Sequence, residues 1–285
     1  MENQENGLGK VNKKLTSVEK ATSTILNNIP VLSSYEEIVL NSLGKTLAKP
    51  VTALLSNPPS DVSSMDGYAL KNSDIDNGVL EFTVIDESVA GKSSSKTVAT
   101  MQTVRIFTGA KIPHGADRII LQEDVKRLGN NLIKINKNKL ENNNFFIRKT
   151  GMDFKLGEKL IDKGEVLNTR NISLCVASGN SWVTIRRKPK IGIISTGNEL
   201  LKFGEIQNSK NNDKIISSNG IFLFNFINQL GGEAFILPTA KDDIKSLTNI
   251  LDEANDLDLI ISSGGASVGD YDIVQRALEK NNFEL

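Results

Sequence analysis

The chain has 285 residues, with 34 basic and 34 acidic side chains giving zero formal charge, one His and one Cys. A single Cys excludes a disulfide framework within the chain and a Cys-rich zinc site, and a single His excludes any site built on two His ligands. Zero charge and 5 % aromatic content argue against a nucleic-acid surface, so carboxylates, hydroxyls, glycines and a few cations are left to carry any chemistry.

The length suggests about two or three domains at roughly 100–200 residues each. Residues 1–29 read as a polar leader, disordered or a frayed helix, because they offer little to bury. They carry no apolar block of the signal or membrane-spanning kind, and no other apolar stretch is long enough to span a bilayer. No membrane association and a cytoplasmic location are therefore expected. Ile38, Leu40, Leu43 and Leu47 predict a helix over Tyr35–Leu47, capped by Ser33 or Ser34 and ended by Pro50.

From about 60 to 144 the pattern turns to short β-type runs: Leu80–Ile85, Thr97–Thr103, Arg118–Gln122 and Leu132–Ile135. A second extended block covers Phe145–Arg148, Gly151–Leu160 and Gly164–Leu167, followed by a helix at Thr169–Ser178 and a strand at Trp182–Ile185. Residues 30–59 and 145–186 are grouped as one linker and dimerisation domain around a β-rich domain at 60–144. After Lys190 the rhythm is βαβ. Strands are expected at Ile191–Ser195, Glu233–Leu237 and Leu257–Ser262, with helices at Ser218–Leu230, Asp243–Ala254 and Tyr271–Lys280. The fold class is multidomain α+β and α/β: a β-rich middle domain plus a three-layer α/β domain at 187–285 with a mostly parallel sheet.

Open parallel sheets bind ligands beyond the carboxyl ends of their strands. Three such loops follow the last domain's strands: Ser195–Glu199, Pro238–Asp243 and Ser262–Asp272. Each combines glycine or hydroxyl groups with a carboxylate. Glycines let backbone N–H groups approach an anion, and acids beside an anion call for a hard cation such as Mg²⁺. Taken one at a time, these acids would be helix N-caps; three acid-bearing loops at one edge favour a ligand site. In the middle region Ser63–Ala69 and Val104–Ala110 set an acid or hydroxyl beside a glycine between apolar anchors. Arg148 and Asp153 are either an anion clamp or a surface ion pair. Gly91-Lys92-Ser93 is no P-loop, since Asp86 occupies the position of the first glycine. His114 reads as a turn residue and Cys175 as packing.

Ser64-Met65-Asp66-Gly67-Tyr68-Ala69, Arg105–Ala110, Pro113–Asp117, Gln122-Glu123-Asp124, Arg148 with Gly151-Met152-Asp153, Ser195–Leu200 and Ser263–Asp270 occur in one order. That series resembles the molybdopterin molybdenumtransferase family, called MoeA in bacteria and related to gephyrin and the E domains of plant Cnx proteins. His114 and Asn198 depart from the usual acids of the pattern. The resemblance implies a molybdopterin-binding type of α/β domain and insertion of molybdenum from molybdate into adenylylated molybdopterin, with Mg²⁺-dependent release of AMP. It implies catalytic roles for Asp66, Thr108, Asp153, Glu199, Asp242 and Asp272. Substrate binding would fall to Arg148, Thr196, Gly197, Ser263, Gly264, Gly265, Ser267, Gly269 and Asp270, and the metal to Glu199 and Asp242. A homodimer sharing its active site between subunits is implied, together with molybdopterin adenylyltransferase as a partner. Family members continue past the equivalent of Leu285 with a lysine-bearing loop and a further β-domain, so the α/β domain is expected to be C-terminally incomplete. A non-catalytic pterin-binding or scaffold role, or an inactive truncated homologue, is the alternative.

Overall fold

The computed structural model describes residues 16–140, 145–201, 213–241, 243–254, 256–264 and 277. The chain divides into two compact units, one formed by 1–35 with 186–285 and the other by 36–185.

Unit 36–185 is built on a six-stranded sheet. Its order across the sheet is Arg118–Leu121, Gly67–Leu70, Gln102–Ile106, Glu81–Ser88, Leu132–Ile135, Val125–Arg127. All neighbours are antiparallel except Glu81–Ser88 and Gln102–Ile106, which run parallel with a register shift between Val84 and Asp86. Alternate residues of Gly67–Leu70 feed two cores. Tyr68 and Leu70 join Phe82, Ile120, Ile133 and Ile135, while Ala69 joins Ile106, Ala110 and Ile119. All four residues of this strand are buried, so no alternation in polarity betrays it. A further cluster, Val39, Leu47, Val51, Ile161, Leu167, Cys175, Val183 and Ile185, draws only on the chain before 52 and after 160. Burial there pushes the Cys175 thiol pKa up.

The helix expected at Tyr35–Leu47 does not form. Ser34–Ile38 is a strand paired with Trp182–Arg186, and Val39–Asn41 is a single 3-10 turn. Its backbone bonds go to distant segments: Val39 N–H donates to Ser181 O at 3.0 Å, and Leu47 N–H to Glu165 O at 2.9 Å. Leu40 and Leu43 are exposed, so the periodic set never becomes one buried face. Long-range pairing overrode the local period. The Thr97–Thr103 run is likewise shifted, to Gln102–Ile106, by a turn at Met101 whose φ of 59° is steadied by its N–H donating to Asp74 Oδ2 at 2.9 Å. Of the second extended block only Ile147–Arg148 and Lys159–Ile161 are strands. Thr169–Ala177 is the expected helix, with an Asn168–Asn171 capping box.

In the other unit, Val18–Asn28 is a helix capped by Ser17 with no buried residue, and residues 1–15 of the expected leader lie outside the described residues. Lys190–Ser195 is the centre of a parallel sheet flanked by Glu233–Ile236 and Leu259–Ser263. Helices Ser218–Gln229 and Ile244–Asp252 follow in βαβ order. The expected Tyr271–Lys280 helix lies outside the described residues except for the buried Ala277. Among the described residues no helix is long and apolar enough to cross a membrane.

The start of the parallel sheet is tied by Asp258, whose carboxylate accepts from both terminal nitrogens of Arg187 and from Lys190 N–H at 2.8 Å. The Arg187 guanidinium holds this carboxyl below the usual range. A depressed carboxyl stabilises the fold above its unfolded pKa and loses that contribution as pH falls through the folded value. Asp258→Asn is therefore expected to lower the urea midpoint at pH 7, and its deficit against wild type should shrink between about pH 5 and pH 2. A deficit constant over that range would place the effect elsewhere.

Candidate functional site

Asp66 ends the loop that enters Gly67–Leu70, and Thr108 sits just beyond Gln102–Ile106, the antiparallel neighbour. Gly67 pairs with Ile106, so the two loop roots are side by side. Asp66 Oδ1 accepts from Thr108 N–H and from Thr108 Oγ1, each at 2.8 Å. The Thr108 N–H, then its hydroxyl, then the charge of Arg105 hold the Asp66 carboxyl below the usual range. Ser63 N–H and Ala110 O, at 2.9 Å, and Gly109 N–H and Ser63 O, at 2.8 Å, lace the same loops through their backbones. Gly109 has φ +79°, which a residue with a side chain rarely adopts.

Arg148 and Asp153 are also together. Arg148 Nη2 donates to both carboxylate oxygens of Asp153, at 2.8 and 2.9 Å, and both side chains are exposed. Ile147–Arg148 pairs with Val62–Ser63, immediately before the Asp66 loop. Asp61 secures this arrangement by accepting from Lys149 Nζ at 2.8 Å and Thr150 N–H at 2.9 Å, and Lys149 holds its carboxyl low. Exposed pairs of this kind contribute at most about 1 kcal/mol. An arginine already engaged by an acid could exchange that acid for an incoming anion.

In the other unit, the carboxyl ends of Lys190–Ser195 and Leu259–Ser263 converge. Thr196 N–H donates to Ser263 O and Gly197 N–H to Ala240 O, both at 3.3 Å. A Cβ on Gly264, whose φ is +117°, would lie 2.7 Å from Thr196 Oγ1 and 2.8 Å from Thr196 O. A Cβ on Gly197, at φ +151°, would lie 2.5 Å from Glu199 Oε2. The exposed Glu199 carboxylate is thus folded back over the Gly197 backbone; Gly264 is required by the close Thr196 backbone, and Gly197 by its positive φ. Ser217 hydroxyl donates to the buried Ser195 Oγ at 3.1 Å at the start of helix Ser218–Gln229. Two of the backbone N–H groups expected to cradle an anion are therefore already bonded to neighbouring carbonyls.

Asp242, Gly265, Ser267, Gly269, Asp270 and Asp272 lie outside the described residues. Asp243 is an N-cap, accepting from Ser246 N–H at 2.7 Å. Among the described residues no group of three His, Cys, Asp or Glu side chains is placed to hold a metal ion. With Glu199 as the remaining described acid at this edge, the described residues do not complete a magnesium site.

The six-stranded sheet also presents a pair that spacing alone could not single out. Arg105, 9 % exposed, donates from Nη1 to Gly67 O at 3.0 Å and from Nη2 to Gln122 Oε1. In the sequence it stands out only as a charge between the apolar Val104 and Ile106 and as the first residue of the Arg105–Ala110 motif.

Two family models match the chain. One described as "MoeA N-terminal region (domain I and II)" covers residues 16–179, and one described as "Probable molybdopterin binding domain" covers 192–284. A molybdopterin molybdenumtransferase from Nostoc sp. is 32 % identical over 273 residues, covering 93 % of this chain and 61 % of the relative. One from Staphylococcus aureus is 33 % identical, covering 90 % of this chain and 61 % of the relative. The chain thus spans about three fifths of the length of these curated relatives. The crystal structure of a molybdopterin biosynthesis MoeA protein from Pyrococcus horikosii superposes with a TM-score of 0.82 at 31 % identity, over 94 % of this chain and 67 % of that one.

Proposed function

The chain belongs to the MoeA family, and on that premise we propose that it serves molybdenum cofactor biosynthesis by inserting molybdenum from molybdate into adenylylated molybdopterin with release of AMP. The observation that carries this reading is the Asp66–Thr108 contact. A half-exposed carboxylate gathers two donors from a loop 42 residues away, caps no helix and sits in the Ser64–Ala69 motif that the family resemblance rests on.

Both substrates are anions, so the site must present donors and keep its own acids from repelling them. Thr108, tied to Asp66, presents a hydroxyl whose orientation is set in advance. Arg148, released from Asp153 by an incoming phosphate or molybdate, supplies a guanidinium fork suited to oxyanions. At the other edge Gly197 and Gly264 let ligand approach the backbone where any side chain would intrude, with Thr196, Ser263 and Glu199 around them. Gly265, Ser267, Gly269, Asp270 and Asp272 extend this loop in the proposal, and Asp242 joins Glu199 as a metal ligand. Magnesium, when bound, would neutralise charge developing on the pyrophosphate as the phosphoanhydride breaks. The acids act by orienting and by holding charge rather than as nucleophiles.

The two sets of residues belong to different units, and neither unit alone holds both. A homodimer that shares the site between subunits, a cytoplasmic location, and delivery of substrate by molybdopterin adenylyltransferase complete the proposal; the family resemblance supports them. Purified chain incubated with adenylylated molybdopterin, Mg²⁺ and molybdate is expected to release AMP only when molybdate is present. Pterin binding without molybdate-dependent AMP release would reduce the proposal to a binding role.

A further inference from the structure

We propose that Arg105 and Gln122 are a positioning pair that fixes the Asp66–Thr108 contact and supplies the positive charge beside it. The inference deepens the reading above and rests on it only in giving Asp66 a part in the reaction.

A guanidinium buried this deeply ordinarily meets a carboxylate, because an unpaired buried charge is costly. Among the described residues Arg105 makes no ion pair. Its partners are neutral: Gly67 O, Gln122 Oε1, and the rings of Tyr68 and Phe107, whose centres lie 5.0 and 4.6 Å from its guanidinium carbon. Rings of this kind attract a cation through their faces without cancelling its charge. Each partner also adjoins the Asp66–Thr108 contact. Gly67 and Tyr68 follow Asp66, Phe107 precedes Thr108, and Gln122 N–H donates to Asp66 O at 3.2 Å. One planar fork therefore fastens the roots of both loops, and it leaves its net charge to act on the carboxylate between them. A lysine, with a single point charge, could not serve both acceptors in this geometry.

The charge on Arg105 helps keep Asp66 ionised. The other charged groups on elements packed against Asp66 are the acids Glu123 and Asp124, and Arg148, which is engaged by Asp153. Gln122 Nε2 donates to Glu123 Oε1 at 3.0 Å, which holds the amide so that its oxygen faces Arg105.

The test follows the Asp66 carboxyl by side-chain carbon NMR through an acid titration of the whole chain, with Thr108 amide exchange measured alongside. Arg105→Met keeps an apolar stem of similar length but removes the charge and both donors. It is expected to move the Asp66 midpoint up toward the ordinary aspartate range and to speed exchange at Thr108. Arg105→Lys should recover most of the titration shift but not the amide protection. A folded Arg105→Met chain with an unmoved Asp66 midpoint would overturn the proposal. Should that variant fail to fold, Gln122→Glu, at an exposed position, decides the same question. Its new carboxylate would engage the Arg105 charge, so the Asp66 midpoint must rise, and an unchanged midpoint rejects the pair. Neither readout involves turnover, so failure of the AMP assay and failure of this inference are separate results.

Discussion

Asp66→Ala is expected to cut molybdate-dependent AMP release by about 10²-fold or more, the scale seen when a preorganised polar group at a reacting centre is removed. The fold should survive. Asp66 is half-exposed, its carboxylate contacts Thr108 rather than the sheet core, and the freed Thr108 N–H and hydroxyl can turn to water. Circular dichroism and the urea midpoint would therefore stay close to wild type while the initial rate falls. Glu199→Ala is the companion from the other unit. Its carboxylate lies over Gly197 and is exposed, so its loss should leave the parallel sheet intact and remove release as well. Unchanged rates in both variants would mean that the reaction, if present, is carried by other residues.

Gly67→Ala, one position along, is expected to do the opposite and damage the fold first. A Cβ at Gly67 would lie 2.1 Å from the carbonyl oxygen of Ile120 and 3.0 Å from Ile119 Cγ2. The obstacle is the backbone of the neighbouring strand, which cannot rotate away as a side-chain tip could. The Gly67–Leu70 and Arg118–Leu121 strands must separate, opening the cores on both faces of the sheet, at a cost of about 3 kcal/mol or more. The urea midpoint measures this directly. Gly129→Ala is the control, since nothing lies within 4 Å of its added Cβ and its φ needs no glycine. Equal midpoints for the two variants would show that the strand contact at Gly67 is looser than its geometry indicates. Because Gly67 also follows Asp66 and lends its carbonyl to Arg105, this variant should lose activity together with stability. Asp66→Ala should lose activity alone.

The elements read best from sequence are those whose burial is local. Lys190–Ser195 is a short run of apolar residues bounded by polar loops, and Thr169–Ala177 begins at a cap that its own residues build. Glu81–Ser88 and Leu132–Ile135 alternate or cluster β-formers between turn residues. The failures share one cause. Tyr35–Leu47 carries a helical period, but its N–H groups find carbonyls more than a hundred residues away, so extended pairing wins. Gly67–Leu70 is covered on both faces and includes a glycine, so neither period nor propensity marks it.

The amino-acid sequence by itself determined which chemistries were closed, through one His, one Cys and no net charge. It also determined the βαβ order of the last domain and the motifs that identify the family, because composition, turn residues and strand spacing are local properties. Only the tertiary structure decided that Asp66 would hold Thr108 and that Arg148 would be engaged by Asp153. It alone placed the uncompensated charge of Arg105 beside Asp66. Hydrogen bonds and fields act across distances of a few ångströms, and the residues within that reach are chosen by strand pairing rather than by position along the chain.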